Sequence, residues 1–177
     1  MAKTKSALND KVVCFVGISG KPGANGVLKP LAEETLSGKI ISNVEAKLRT
    51  APNCSMFYRD NLVLNPPLTN GKLRYPTPKE MKSEWVPFEK RLAKMKSNVV
   101  ILLGGLVAEF FKEMRGIRMV QCASADGRFL KWAGVDQAGN LILAVAHPSY
   151  MGIYARKRIG DYAENIFQAV QESMIKG

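Results

Sequence analysis

The chain has 177 residues, 46% hydrophobic and 23% charged, and its 26 Lys and Arg against 15 Asp and Glu give a net charge of +11. A chain of this length forms one domain that buries roughly 70% of the surface its unfolded form exposes, which excludes a dependence on disulfide staples and, with this composition, excludes disorder for the bulk of the chain. The excess charge contributes nothing to a fold but attracts polyanions, so nucleic acid is the expected partner, ahead of an acidic membrane surface or an acidic protein.

Met1 to Asp10 is polar and reads as a flexible N-terminus, without the apolar run of a secretory signal. The domain is expected over 11–177. Lys11-Val-Val-Cys-Phe-Val-Gly17 predicts a buried strand that opens into a glycine-rich loop, Gly17 to Gly26. A helix is predicted over 28–48 with a break near Ser37-Gly38, and a second strand over 56–64. The passage from Asn65 to Pro76, with three prolines and a glycine, predicts no regular structure. Thr77-Pro78-Lys79-Glu80 is a helix start, with Thr77 as N-cap, Pro78 at N1 and Glu80 completing a capping box. That helix should reach about Lys96. Strands follow over 97–103 and 117–122, separated by a helix that begins at Gly104-Gly105. A short strand or hairpin is predicted within 129–139 and a final strand over 141–146. One helix is predicted over 152–175. Strands that are apolar throughout, alternating with helices, predict an α/β domain whose central sheet is mainly parallel with helices on both faces.

Cys14, Cys54 and Cys122 are odd in number and form no C-x-x-C pair, which argues against a disulfide framework and against zinc. Cys14 and Cys122 read as core thiols. No metal and no cofactor is expected. No segment approaches the about 18 apolar residues of a membrane span, and a cytoplasmic monomer is the expectation.

Ligands of open α/β sheets bind outside the carboxyl ends of the strands. Three segments of unusual composition leave strands at that edge: Gly17-Ile-Ser-Gly-Lys-Pro-Gly23, Asn61-Leu-Val-Leu-Asn-Pro-Pro67 and Ala146-His-Pro-Ser-Tyr150. The first is neither a P-loop nor a Rossmann fingerprint. His147 is the single histidine of the chain, placed after an apolar strand and before Pro148. One histidine holds no catalytic metal, and no Ser–His–Asp triad is evident. Lys and Arg cluster over 71–96, and Arg156-Lys157-Arg158 stand just past the histidine loop, at the start of the predicted last helix. Cations there oppose the helix dipole, an arrangement that a bound phosphate backbone would offset.

These segments resemble the uracil-DNA glycosylase superfamily. His147-Pro-Ser-Tyr-Met-Gly-Ile-Tyr154 is similar to the family's H-P-S-P-L-S-x-Y loop, Asn61-Leu-Val-Leu to its N-x-V-L segment, and Gly17 to Gly23 to its water-activating loop. Asn65-Pro-Pro, Arg74-Tyr-Pro-Thr, Glu80 and Val99 to Gly105 resemble the iron–sulfur branch, although the cluster cysteines are missing. The resemblance implies a three-layer sandwich and an enzyme that flips a nucleotide out of DNA and cleaves its N-glycosyl bond.

The resemblance also implies residue roles. Asn61 would read the base edge, and His147 would hydrogen-bond the base carbonyl oxygen as charge develops on it. Gly17, Ile18 and Leu31 would line the base pocket, Leu31 standing near the family's stacking aromatic. Pro148 and Ser149 would pinch the DNA backbone, and Met151 would be the wedge that fills the gap left by the flipped base. Lys21, Tyr154, Arg156, Lys157 and Arg158 would lie against DNA. Ser19 occupies the position of the water-activating carboxylate and Gly20 that of the following proline, with Asn25 as a substitute for the lost acid. The expectation is therefore a glycosylase for uracil or another modified base. The alternatives are a catalytically inert protein of the same fold that grips DNA or a nucleotide as an accessory factor or inhibitor, and an enzyme that acts on a hypermodified base without removing it.

Overall fold

The computed structural model describes residues 10–123 and 126–175. Most of the expected flexible N-terminus lies outside them. A six-stranded sheet forms the middle layer. Its parallel part runs β4 (Cys54–Val63), β1 (Lys11–Ser19), β7 (Val99–Leu103), β10 (Leu141–Val145). β9 (Leu130–Val135) and β8 (Arg118–Val120) extend it antiparallel. Two small hairpins lie beside the sheet, β2 (Pro22–Gly23) with β3 (Gly26–Val27), and β5 (Leu68–Thr69) with β6 (Lys72–Leu73).

Alternation along the strands divides the core between two faces. Val13, Phe15, Ile101, Leu103 and Val145 point to one side, where they meet α1 (Leu36–Leu48), α4 (Pro148–Tyr154) and α5 (Ile159–Ile175). Cys14, Val16, Val100, Leu102 and Ile142 point to the other, where α2 (Pro78–Met95) and α3 (Gly105–Arg115) cover them. The second layer is aromatic at its centre, with the Trp85 ring 5.4 Å from Phe111 and 5.8 Å from Phe110, both edge-on. Cys14 belongs to this core, and burial pushes its thiol up to about 12. Among the described residues no helix is long and apolar enough to cross a membrane.

The predicted sheet and its two helical faces are present, and three elements differ in extent. α1 starts at Leu36, not at 28. Pro30 and the left-handed Leu31 (φ 50°) keep the chain out of a helix there. Thr35 is the true N-cap, accepting from Gly38 N at 3.0 Å. Ser37-Gly38 is therefore the first turn, and Gly38 is needed because a Cβ would run into the Ala32 carbonyl. The proline-rich passage contains the hairpin β5–β6, closed by Asn70 (φ 51°) and Gly71 (φ 73°) as both central residues of an Asn-Gly turn. Its prolines flank the hairpin and leave it intact. The long C-terminal helix is broken at Ala155 (φ −136°, ψ 35°), with a 3-10 turn over Arg156–Arg158 between α4 and α5.

Candidate functional site

The carboxyl ends of β1 and β4 and the turn after β10 converge on one cavity of about 280 Å³. Gly17, Ile18 and Ser19 come from β1, Asn61 from β4 and His147 from the turn between β10 and α4. Parallel pairing in register brings Gly17 opposite Asn61. A Cβ at Gly17 would strike Asn61 Oδ1, so the glycine lets the amide lie across the end of β1.

Asn61 is 5% exposed and its backbone is held from both sides. Its N–H donates to Asp60 Oδ1 at 2.8 Å, and its carbonyl accepts from Arg91 Nη2 at 2.8 Å. Arg91 Nε in turn donates to Asp60 Oδ2 at 3.0 Å, which pairs the buried carboxylate. α2 thus fixes the residue that would read a base.

His147 is the N-cap of α4, and its Nδ1 accepts from the Ser149 backbone N–H at 3.2 Å, with Ser149 Oγ 2.6 Å away. A backbone N–H can only donate, so Nδ1 carries no proton and the neutral ring has its proton on Nε2. Burial, with a smaller contribution from the positive Lys21, lowers the imidazole from its ordinary 6.5 to about 4. The ring is a neutral N–H donor at physiological pH. Its platform is rigid. Tyr162 Oη donates to Ala146 O at 2.8 Å, fully buried, and Gly104 (φ 101°) lies against the imidazole, where a Cβ would come within 3.3 Å of His147 Cδ2.

Of the remaining wall, only Leu31 was expected from the sequence. The loop before α1 contributes Leu28 and Leu31, and the hairpin contributes Leu73, Arg74 and Tyr75. Arg59 pins the loop, donating to Leu31 O at 2.8 Å, Ser42 Oγ at 2.9 Å and Glu45 Oε1 at 2.8 Å. Glu80 pins the hairpin. Its carboxylate accepts from Arg74 Nη1 and Nη2 at 2.8 and 2.7 Å and from Thr77 N at 2.7 Å, which holds it down at about 2. The capping box was readable from sequence, whereas its second duty of anchoring a cavity wall was not.

Several expected site residues stand elsewhere. Met151 is 1% exposed and packs in the core beneath α4, so it cannot act as a surface wedge; Tyr150, Ile153 and Tyr154 are the exposed side chains of that helix. Asn25 sits at the exposed tip of the β2–β3 hairpin, off the cavity wall, and does not replace Ser19 there. Pro148 is buried at N1 of α4, where it shapes the turn without presenting a surface to DNA. Lys21 lines the cavity itself. Tyr154 is 75% exposed and its ring lies 5.2 Å from that of Tyr150. Arg156, Lys157 and Arg158 are exposed, and Arg158 is partly engaged by Asp161 at 3.5 Å.

No curated protein matches the chain. The family model described as Uracil DNA glycosylase superfamily matches residues 9–171, nearly the whole length, including every strand that shapes the cavity. With its mainly parallel sheet and helices on both faces, the chain belongs to the uracil-DNA glycosylase superfamily.

Proposed function

We propose that this protein is a DNA N-glycosylase that takes uracil, or a modified pyrimidine with the same edge, into the cavity at the sheet edge by nucleotide flipping. The observation that carries the reading is the pairing, in one cavity, of a neutral His147, its proton on Nε2, with Asn61, whose backbone is held by Asp60 and Arg91. An amide matches the donor and acceptor edge of a pyrimidine. A fixed N–H stabilises a carbonyl oxygen that becomes negative as the glycosyl bond breaks, without reorganisation during the reaction. Exposed Tyr150, Tyr154, Arg156 and Lys157 just beyond His147 suit a flanking nucleic-acid strand. The test is alkali-sensitive cleavage of labelled single- and double-stranded DNA carrying one uracil. Cleavage by the wild type, reduced about a hundredfold in His147→Ala, supports the reading.

One observation favours a second reading. Among the described residues no carboxylate lines the cavity, and Ser19 is a poor base. A protein that binds the same DNA and leaves every base in place would be an inert, DNA-gripping relative.

A further inference from the structure

A second cavity, of about 410 Å³, lies at the other end of the sheet, where β1 and β10 begin. Lys11 opens β1 there, and the same strand ends at Ser19 in the first cavity, about 26 Å away at the rise of a strand. Register builds the floor. Arg118 pairs with Val135 and Val135 with Leu141, so these three side chains stand in one row across β8, β9 and β10 on one face of the sheet. The neighbouring row, Val120 with Ala133, packs into the core on the face that α5 covers. Where α5 reaches the cavity it presents Ala169, a single methyl group, and Gly139 between β9 and β10 brings no side chain. Small residues at these places leave space above Val135 and Leu141. The volume lies in the range of small-molecule sites, about 300–1,000 Å³.

The floor is apolar and the rim is charged unequally. Lys11 and Arg118 enter no salt bridge among the described residues. Glu172 is the one carboxylate among the described lining residues, and its Oε2 accepts from Ala123 N at 2.8 Å and from Cys122 Sγ at 3.3 Å. The Asn98 amide is spent on the backbone, with Oδ1 accepting from Val12 N at 2.9 Å and Nδ2 donating to Asp10 O at 3.2 Å. The two cations are therefore the groups that the fold leaves for a ligand.

We propose that this cavity is a second ligand site, which takes a small amphipathic anion: an aliphatic chain with a carboxylate or phosphate head. The chain lies over Val120, Val135 and Leu141, and the head meets Arg118 and Lys11 at the rim. A guanidinium fork matches either head with two N–H donors. An uncharged chain lacks that contact, and a cationic one meets like charges. The site shares no residue with the cavity of His147 and Asn61 and does not depend on the glycosylase reading.

The test is calorimetric titration of the full-length protein with octanoate and with octyl phosphate. At least one should bind at a single saturable site, and shortening its chain should weaken binding about threefold per methylene removed. Arg118→Gln should weaken it about tenfold, whereas Lys90→Gln, which removes the same charge from an exposed position on α2, should not. Ala169→Leu fills the space and should abolish binding. Arg118 is exposed, so its comparison with Lys90 stands even if Ala169→Leu fails to fold. Cys122 lines the cavity and is the cysteine that is not buried, so the bound ligand should protect it from a thiol reagent. Tighter octanoate assigns a carboxylate head and tighter octyl phosphate a phosphate head, and either result upholds the site. No saturable binding of either compound overturns the proposal. So do octylammonium binding as tightly, equal affinity in Arg118→Gln and Lys90→Gln, or an unprotected Cys122.

Discussion

At His147 burial and a nearby ammonium act in the same direction, and the sign of their effect can be followed through to stability. The folded imidazole titrates at about 4 and the unfolded one at its ordinary 6.5. As pH falls below 6.5 the unfolded chain takes up the proton first, so this group removes stability progressively until about pH 4 and has no effect above 6.5. Urea denaturation of wild type and His147→Gln between these values should show the wild type losing more stability with acid; parallel profiles would mean that the ring is not buried neutral. At Asn61, the Asp60–Arg91 pair predicts that Arg91→Ala leaves a buried carboxylate without its partner, destabilising the fold by about 3 kcal/mol and loosening the base-reading amide. A urea midpoint unchanged from wild type would contradict that. His147 was legible because it follows an apolar strand, where the ligand edge remains for a polar side chain, whereas Asn61 lies inside β4 and was legible through the family resemblance. Met151 was not, because on a short helix the packing beneath it decides which side chain faces out, and sequence order carries no record of that packing.

The elements divide by how local their determinants are. α2 was readable to the residue at its start, since Thr77, Pro78 and Glu80 write the cap within four positions. Thr77→Ala should cost about 1 kcal/mol, seen as a lower thermal midpoint. Because Glu80 joins this cap to Arg74, Glu80→Gln should also speed amide exchange in the hairpin 68–73; unchanged exchange there would separate the cap from the cavity wall. The segment 28–35 was misread as helix because its composition permits one. Pro30 disfavours it locally, and Arg59, from the neighbouring strand, captures the Leu31 carbonyl in a left-handed turn. The split of the last helix was not readable either. Nothing in Ala155-Arg-Lys-Arg breaks a helix by propensity, and the break is seen only in the extended φ of Ala155 between α4 and the 3-10 turn.

Across the molecule, the mainly parallel sheet and its two helical faces follow from apolar strands alternating with helices, which is why the fold class could be read before any contact was known, whereas the strand order could not. The net charge of +11 is a property of the whole surface, and its use is long-range. Binding to DNA should fall linearly in log–log form with salt, and Arg156→Gln with Lys157→Gln should together reduce that slope by about 2 without altering uracil preference. An unchanged slope would take this turn out of the DNA interface. The central claim is that His147 and Asn61 cooperate to release a base from DNA. Its most direct measurement is the amount of free uracil, set beside the number of abasic sites, formed from DNA carrying a single uracil. The wild type should form equal amounts of both, and His147→Ala or Asn61→Ala about a hundredfold less of each. Bound but chemically intact DNA after long incubation with the wild type would contradict it.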